Sequence, residues 1–279
     1  MTAVVAAGGH RRYDPARPVR FRDIAGGEWI KLRTLRSTGW SFTALVFLST
    51  GFTAIATAVY SGQWNSLSAQ DRADAVADPI GLILQPGVAW GQIALCVLGV
   101  LLFGGEYSTG MIRSSVLAVP DRRALLVAKG AVFGGLTFVV AEVTAFGSFL
   151  LGRSILSAHV GVSLDDAITV RALVGYGLYL TLTAWLALAI GAVIRHVAAA
   201  VTVVLGLVLV LPVVSGFLPG RSGDYVSAYL PGGQAGQMIV TSGNGAGWVI
   251  GPWPGLAVAG GWTLLALIIA GRQLSRRDV

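Results

Sequence analysis

Reactive side chains are few in this chain, and they are scattered. The three histidines, His10, His159 and His196, fall in a tail and two separate loops, and Cys96 is the single cysteine. Histidines so dispersed do not gather at a metal, and no HExxH pair is present. No GxxxxGK[ST] phosphate loop exists either, because neither of the two lysines, Lys31 and Lys129, closes such a run. Ser148 lacks a histidine at a related depth, and every aspartate maps to a loop or tail, so serine–base and paired-aspartate chemistry both lack their parts. One cysteine excludes an intrachain disulfide. Within an apolar run, that thiol acts as a small apolar filler.

Two features keep some chemical interest. Glu142 falls past the middle of the apolar run Ala124 to Leu151, where a carboxylate is expensive and usually faces a partner or a wet cavity. One reading places it on a translocation path or dimer interface. The other uses the length of that run to put it near the outer surface, within reach of water. The second feature is Gly105 to Arg123, GEYSTGMIRSSVLAVPDRR, a short, charged, helix-compatible loop between two oily segments. It has little to do alone but can be gripped by another protein. Glu106 suits the positive end of a short helix over Glu106 to Ala118, and Arg113 suits the other end. Ser108, Thr109 and Gly110 are small enough for close docking, and Asp121 can cap the next helix. The plain alternative is a generic inner loop.

The elements that carry these residues are membrane spans. The chain is 54% hydrophobic and only 12% charged, against roughly 25% charged in soluble domains. Its mean hydropathy is +0.73. The composition predicts an all-α integral membrane protein, since backbone groups in lipid must be satisfied within each segment. Six runs are candidate spans: Trp40 to Tyr60, Gly87 to Gly104, Ala124 to Leu151, Ala172 to Ile194, Val197 to Phe217 and Pro252 to Gly271. The second is short and the third long enough to tilt. Pro212 predicts a kink in the fifth. Gly87 with Gly91, and Gly130 with Gly134, have the spacing that lets helices approach closely.

The net charge of +7 does not point to nucleic acid, because the basic residues cluster at the ends of apolar runs. With the N-terminus in the cytosol, sixteen basic residues lie inside and four outside, so both termini are expected in the cytosol. Residues 1–20 read as a flexible cytosolic tail and 21–279 as one membrane domain. Ahead of the first span, Phe21 to Ser37 reads as an amphipathic interfacial helix. Phe21, Ala25, Trp29 and Leu32 share one arc, while Glu28, Ile30 and Arg36 break the pattern. Beyond the fifth span, the semi-polar stretch Tyr229 to Val240 is open between a short re-entrant or surface helix and an ordinary loop.

Taken in order, EWIKLRTLRS at Glu28 to Ser37, GEYSTGMIR at Gly105 to Arg113, the Pro120 to Arg123 turn, Lys129, IRHVAAAV around Arg195, YLPGGQAGQ at Tyr229 to Gln237 and the terminal RRDV form a recognisable series. From Phe21 onward the chain resembles the permease subunits of ABC-2 type transporters, especially small actinobacterial ones. The resemblance implies a multi-pass protein of the bacterial plasma membrane that pairs with a second permease copy, identical or sibling. It also implies two separate ABC ATPase subunits that bind ATP and Mg, leaving this chain without cofactor or enzymatic activity. Carried over, Glu28, Trp29, Lys31, Arg33 and Arg36 belong to a connecting helix on the inner leaflet. Glu106, Tyr107, Ser108, Thr109, Gly110, Arg113, Arg122 and Arg123 belong to the coupling loop that enters the ATPase, with Arg195 as a second contact. By the resemblance the cargo is expected among drugs, antibiotics, peptides, lipid-linked saccharides or ions, with multidrug export the specific expectation; a Gly- and aromatic-lined path without intramembrane charge pairs favours an amphipathic or apolar substrate. A stand-alone secondary transporter predicts repeats and several mid-membrane charges. A membrane partner that docks an ATPase without transporting anything also stays open.

Overall fold

A computed structural model describes residues 20–108, 110–111, 117, 121–243 and 249–276; the expected tail lies almost wholly outside them. The described residues are helical and contain no strand. Helix α1 (Phe21–Thr34) ends at an extended Leu35. Then come α2 (Arg36–Gly62), the short α3 (Ala69–Ala77) and α4 (Pro79–Ser108). After the loop follow α5 (Arg122–Leu156), α6 (Ala167–Val193) and α7 (Val197–Ser215). Two short helices, α8 (Ser222–Ala228) and α9 (Gln234–Gln237), precede α10 (Pro252–Arg276).

Six of these, α2, α4, α5, α6, α7 and α10, are long and apolar enough to cross a membrane. Helices α4 and α6 form the centre: 72% of the most apolar window of each is buried. Helix α7 has the highest hydropathy of the six and only 17% of its window buried. That is the reverse of a soluble core and is what a lipid-facing helix requires, since lipid covers apolar surface as well as protein does.

The second span is not short. It begins at Pro79 and runs 30 residues, about 45 Å, through Pro86. Proline reads as a breaker because it removes an amide and crowds the carbonyl one turn back. Helix α4 nevertheless continues through it, with α2 packed alongside: Thr53 Oγ1 donates to Ile83 O at 3.0 Å and Ser49 Oγ to Gly87 O at 3.0 Å. Three of the four paired glycines serve close approach; Gly130 does not, since a Cβ there would meet nothing nearer than 3.9 Å. A Cβ on Gly91 would stand 2.1 Å from Ser49 Oγ, and one on Gly134 would stand 2.3 Å from Trp185 Nε1.

At Pro212 the expected disturbance takes the form of a widened π turn over Gly206–Val210. Pro212 has no amide hydrogen for Val208 O. That carbonyl lies so near Gly232 that a Cβ there would sit 1.8 Å away. Next door, a Cβ on Gly233 would stand 2.3 Å from Ser227 O. The Gly232-Gly233 pair is therefore what lets the chain turn back against α7. It leads into α9 and a 3-10 turn, Met238–Val240, whose three side chains are buried. Of the two sequence readings of Tyr229 to Val240, the short helix is the one observed, packed into the bundle.

Candidate functional site

At the end of the bundle where α1 lies, three helices deliver four opposite charges to one point. Both lysines of the chain and two of its three glutamates meet there. Lys129 Nζ donates to Glu28 Oε2 at 2.6 Å and to Glu106 Oε1 at 2.8 Å. Lys31 Nζ donates to Glu28 Oε1 at 2.8 Å and to Glu106 Oε1 at 3.2 Å. The result is a closed ring of alternating charge with no formal net charge. Lys129, Glu28 and Glu106 are buried, and the Lys31 side chain is 30% exposed. Phe103 lies beneath Lys129, its ring centre 5.3 Å from Nζ.

Local sequence explains how each member arrives. Ile24, Glu28 and Leu32 recur every four residues and form the buried face of α1. Ile24 packs with Leu125 and Ala128 of α5, which brings α1 against the start of that span. The face against the bundle is not the expected apolar arc: Phe21 and Trp29 are half exposed, and Glu28, which breaks the apolar pattern, is central to the buried face. Lys129 lies about 10 Å into α5. Glu106 occupies the last turn of α4 instead of opening a separate helix. A helix C-terminus does not favour an acid, so the two lysines are what hold it there. Burial pushes the Glu28 carboxyl up, but Lys129 and Lys31 outweigh it and hold it below the usual range. Burial pushes Lys31 down, and the Glu28 hydrogen bond and Glu106 charge reverse this to a net rise.

The ring makes a joint and performs no covalent chemistry. Charges taken out of water are costly, and breaking one partner from such a set leaves an uncompensated ion. Helix α1, the end of α4 and the start of α5 are therefore bound to move together. Glu106 Oε2 is buried without a hydrogen-bond partner among the described residues.

Other expected residues gather nearby. Tyr107 continues α4, and the Arg195 guanidinium stands 5.2 Å from its ring centre, so the main loop and the α6–α7 connection meet. Ser108 and Gly110 are exposed, the latter at φ +72°. Asp121 caps α5 as expected, accepting from Arg123 N at 3.0 Å and Ala124 N at 3.1 Å. Arg122 reaches across to Leu274 O at 2.9 Å. Arg123 and Arg33 are exposed, and Arg36 opens α2 and so lies beyond α1. Thr109 and Arg113 lie outside the described residues, as does most of the expected Glu106 to Ala118 helix.

Glu142 stands apart from this site. It is half-buried on α5 with Oε1 against α6, close to where a Cβ on Gly177 would lie, and that oxygen has no hydrogen-bond partner among the described residues. Also among the described residues, no three His, Cys, Asp or Glu side chains are grouped to hold a metal.

The sequence reading named Glu28, Lys31 and Glu106 separately and missed that Lys129 closes them into a ring. The available signal was a lysine well inside an apolar run, which demands an acidic partner. It also missed the opposite end, where Asp78 Oδ1 accepts from Gly81 N at 2.9 Å and Ser242 N at 2.7 Å. Beside it, Arg171 donates to Thr241 O. No family model matches this chain, and no curated protein matches it.

Proposed function

We propose that this chain is the transmembrane permease subunit of an ATP-driven ABC exporter. It works as a dimer, and its loop 105–123 docks on separate ATPase subunits in the cytosol. The observation that carries the reading is the ion ring. It ties the interfacial helix, the last turn before the loop and the first turns after it into one unit. A push or pull on the loop then reaches α1, α4 and α5 at once, as a two-state transporter driven from outside requires. Tyr107 and Arg195 add a second surface on the same side. ATP and Mg belong to the partner, because this chain carries no phosphate loop.

The test is co-purification in mild detergent with the ABC ATPase encoded beside it, scored by stoichiometry. Ser108→Trp is the companion variant, because Ser108 is exposed and outside the ring. Equal amounts of the two proteins, lost in that variant, are expected. No retained ATPase across several detergents contradicts the reading. An alternative stand-alone transporter draws on Glu142, whose Oε1 lies within a span and has no hydrogen-bond partner among the described residues. It predicts flux in sealed vesicles without ATP, lost in Glu142→Gln.

A further inference from the structure

A groove of 710 Å³ runs along the outside of the bundle between α5 and α10, beginning at the same end as the ion ring. Arg123 and Arg272 stand at its mouth, and Leu126, Leu267 and Ile268 line its walls. Its floor is Trp185 of α6. The indole Nε1–H donates to Gly130 O at 2.8 Å, and Gly134 leaves room for the ring. With its only polar atom satisfied inward, the indole offers the groove an apolar face. The same Trp185 also lines a second, smaller groove that continues between α6 and α10 toward Trp253.

We propose that this groove holds an anionic phospholipid from the leaflet at the Arg123 end. Its phosphate is clasped by Arg123 and Arg272, and an acyl chain lies along Trp185. The volume is that of a small-molecule site. The walls are as apolar as a lipid tail, and they face outward at membrane depth. Guanidinium is the group best matched to phosphate oxygens, in shape as well as charge. A basic pocket between helices at the charged end of a membrane protein is where anionic headgroups are recognised. Helix α5 contributes charge through Arg123 and not through its N-terminal amides, since Asp121 already accepts from two of them. Arg123, the last residue of the loop 105–123, is shared with the proposed ATPase contact, so the experiment is run on this chain without that partner.

The experiment is quenching of tryptophan fluorescence in the detergent-purified full chain by phospholipids brominated on the acyl chains. Phosphatidylglycerol is expected to quench at about tenfold lower concentration than phosphatidylcholine. Trp185→Phe should remove that high-affinity part, and the Arg123→Gln, Arg272→Gln double variant should abolish the preference. Ala131→Trp, which fills the groove and spares both arginines, should also remove the high-affinity part, and it covers the case in which the arginine variant fails to fold. Equal quenching by the two lipids in the wild type overturns the proposal in favour of ordinary annular lipid. Displacement of phosphatidylglycerol by glycerol phosphate at comparable concentration overturns it in favour of a simple phosphate site.

Discussion

The two ends of the bundle are closed by different chemistry. At one end, side-chain charges from α1, α4 and α5 satisfy each other in a ring. At the other, Asp78 and Arg171 bind backbone groups of residues 241–242 and so hold the segment after α9 against the spans. Side-chain ion pairs join helices that can move as a body. Charge-to-backbone bonds fix one segment in one place. The first arrangement suits a joint that transmits force, and the second suits a plug that stays put.

The strongest way to break this comparison is Lys129→Ala, which leaves two buried carboxylates to share the partly exposed Lys31. It should cost about 3–5 kcal/mol, read as a large fall in the unfolding midpoint of the detergent-purified chain. Asp78→Ala removes acceptors from two backbone amides and should cost about 2–3 kcal/mol. Hydrogen exchange should then rise around 241–243 and leave α1 unchanged; loss of protection in α1 would mean that the two ends are not separate. Gly232→Ala forces a methyl onto Val208 O and should cost about 1–3 kcal/mol, with the loss confined to the α8–α9 region. Lys31→Gln should cost about 1 kcal/mol or less, because that side chain is partly exposed and its pairing is screened.

Titration gives the gentlest test. The depressed Glu28 contributes stability that is present above a carboxylate's usual 4.5 and is lost as pH falls through its lower folded value. The raised Lys31 contributes stability that is present below 10.5 and is lost as pH rises through its higher folded value. The contributions of Glu28 and Lys31 should therefore be flat between about pH 5 and pH 10 and fall on both sides. A slope near neutrality that disappears in a Glu28→Gln, Lys31→Met double variant would contradict this.

The spans were legible because an apolar run of about 20 residues has few other uses. Their ends were less so. The second span was expected to start at Gly87, but its helix reaches back through Pro86 to Pro79. The face that α1 turns to the bundle was not legible either. Glu28 looks like an interruption because its partner Lys129 is 101 residues away. Nothing local announces it. Gly232 and Gly233 look permissive in sequence and turn out to be required by contacts with Val208 and Ser227. The loop 105–123 was visible by its charge and its flanks, yet the ion ring beside it could be assembled only in three dimensions.

The most direct test replaces the whole ring by neutral groups of similar size: Glu28→Gln, Glu106→Gln, Lys31→Met and Lys129→Met together. Removing every charge at once strands none, so folding should survive. The quantity to measure is ATP hydrolysis by the proposed ATPase partner, with and without this chain in lipid vesicles. We expect the neutral ring to assemble with the ATPase but to lose the change in hydrolysis that this chain brings about. Wild-type dependence in a chain with no charges at the joint would contradict the account.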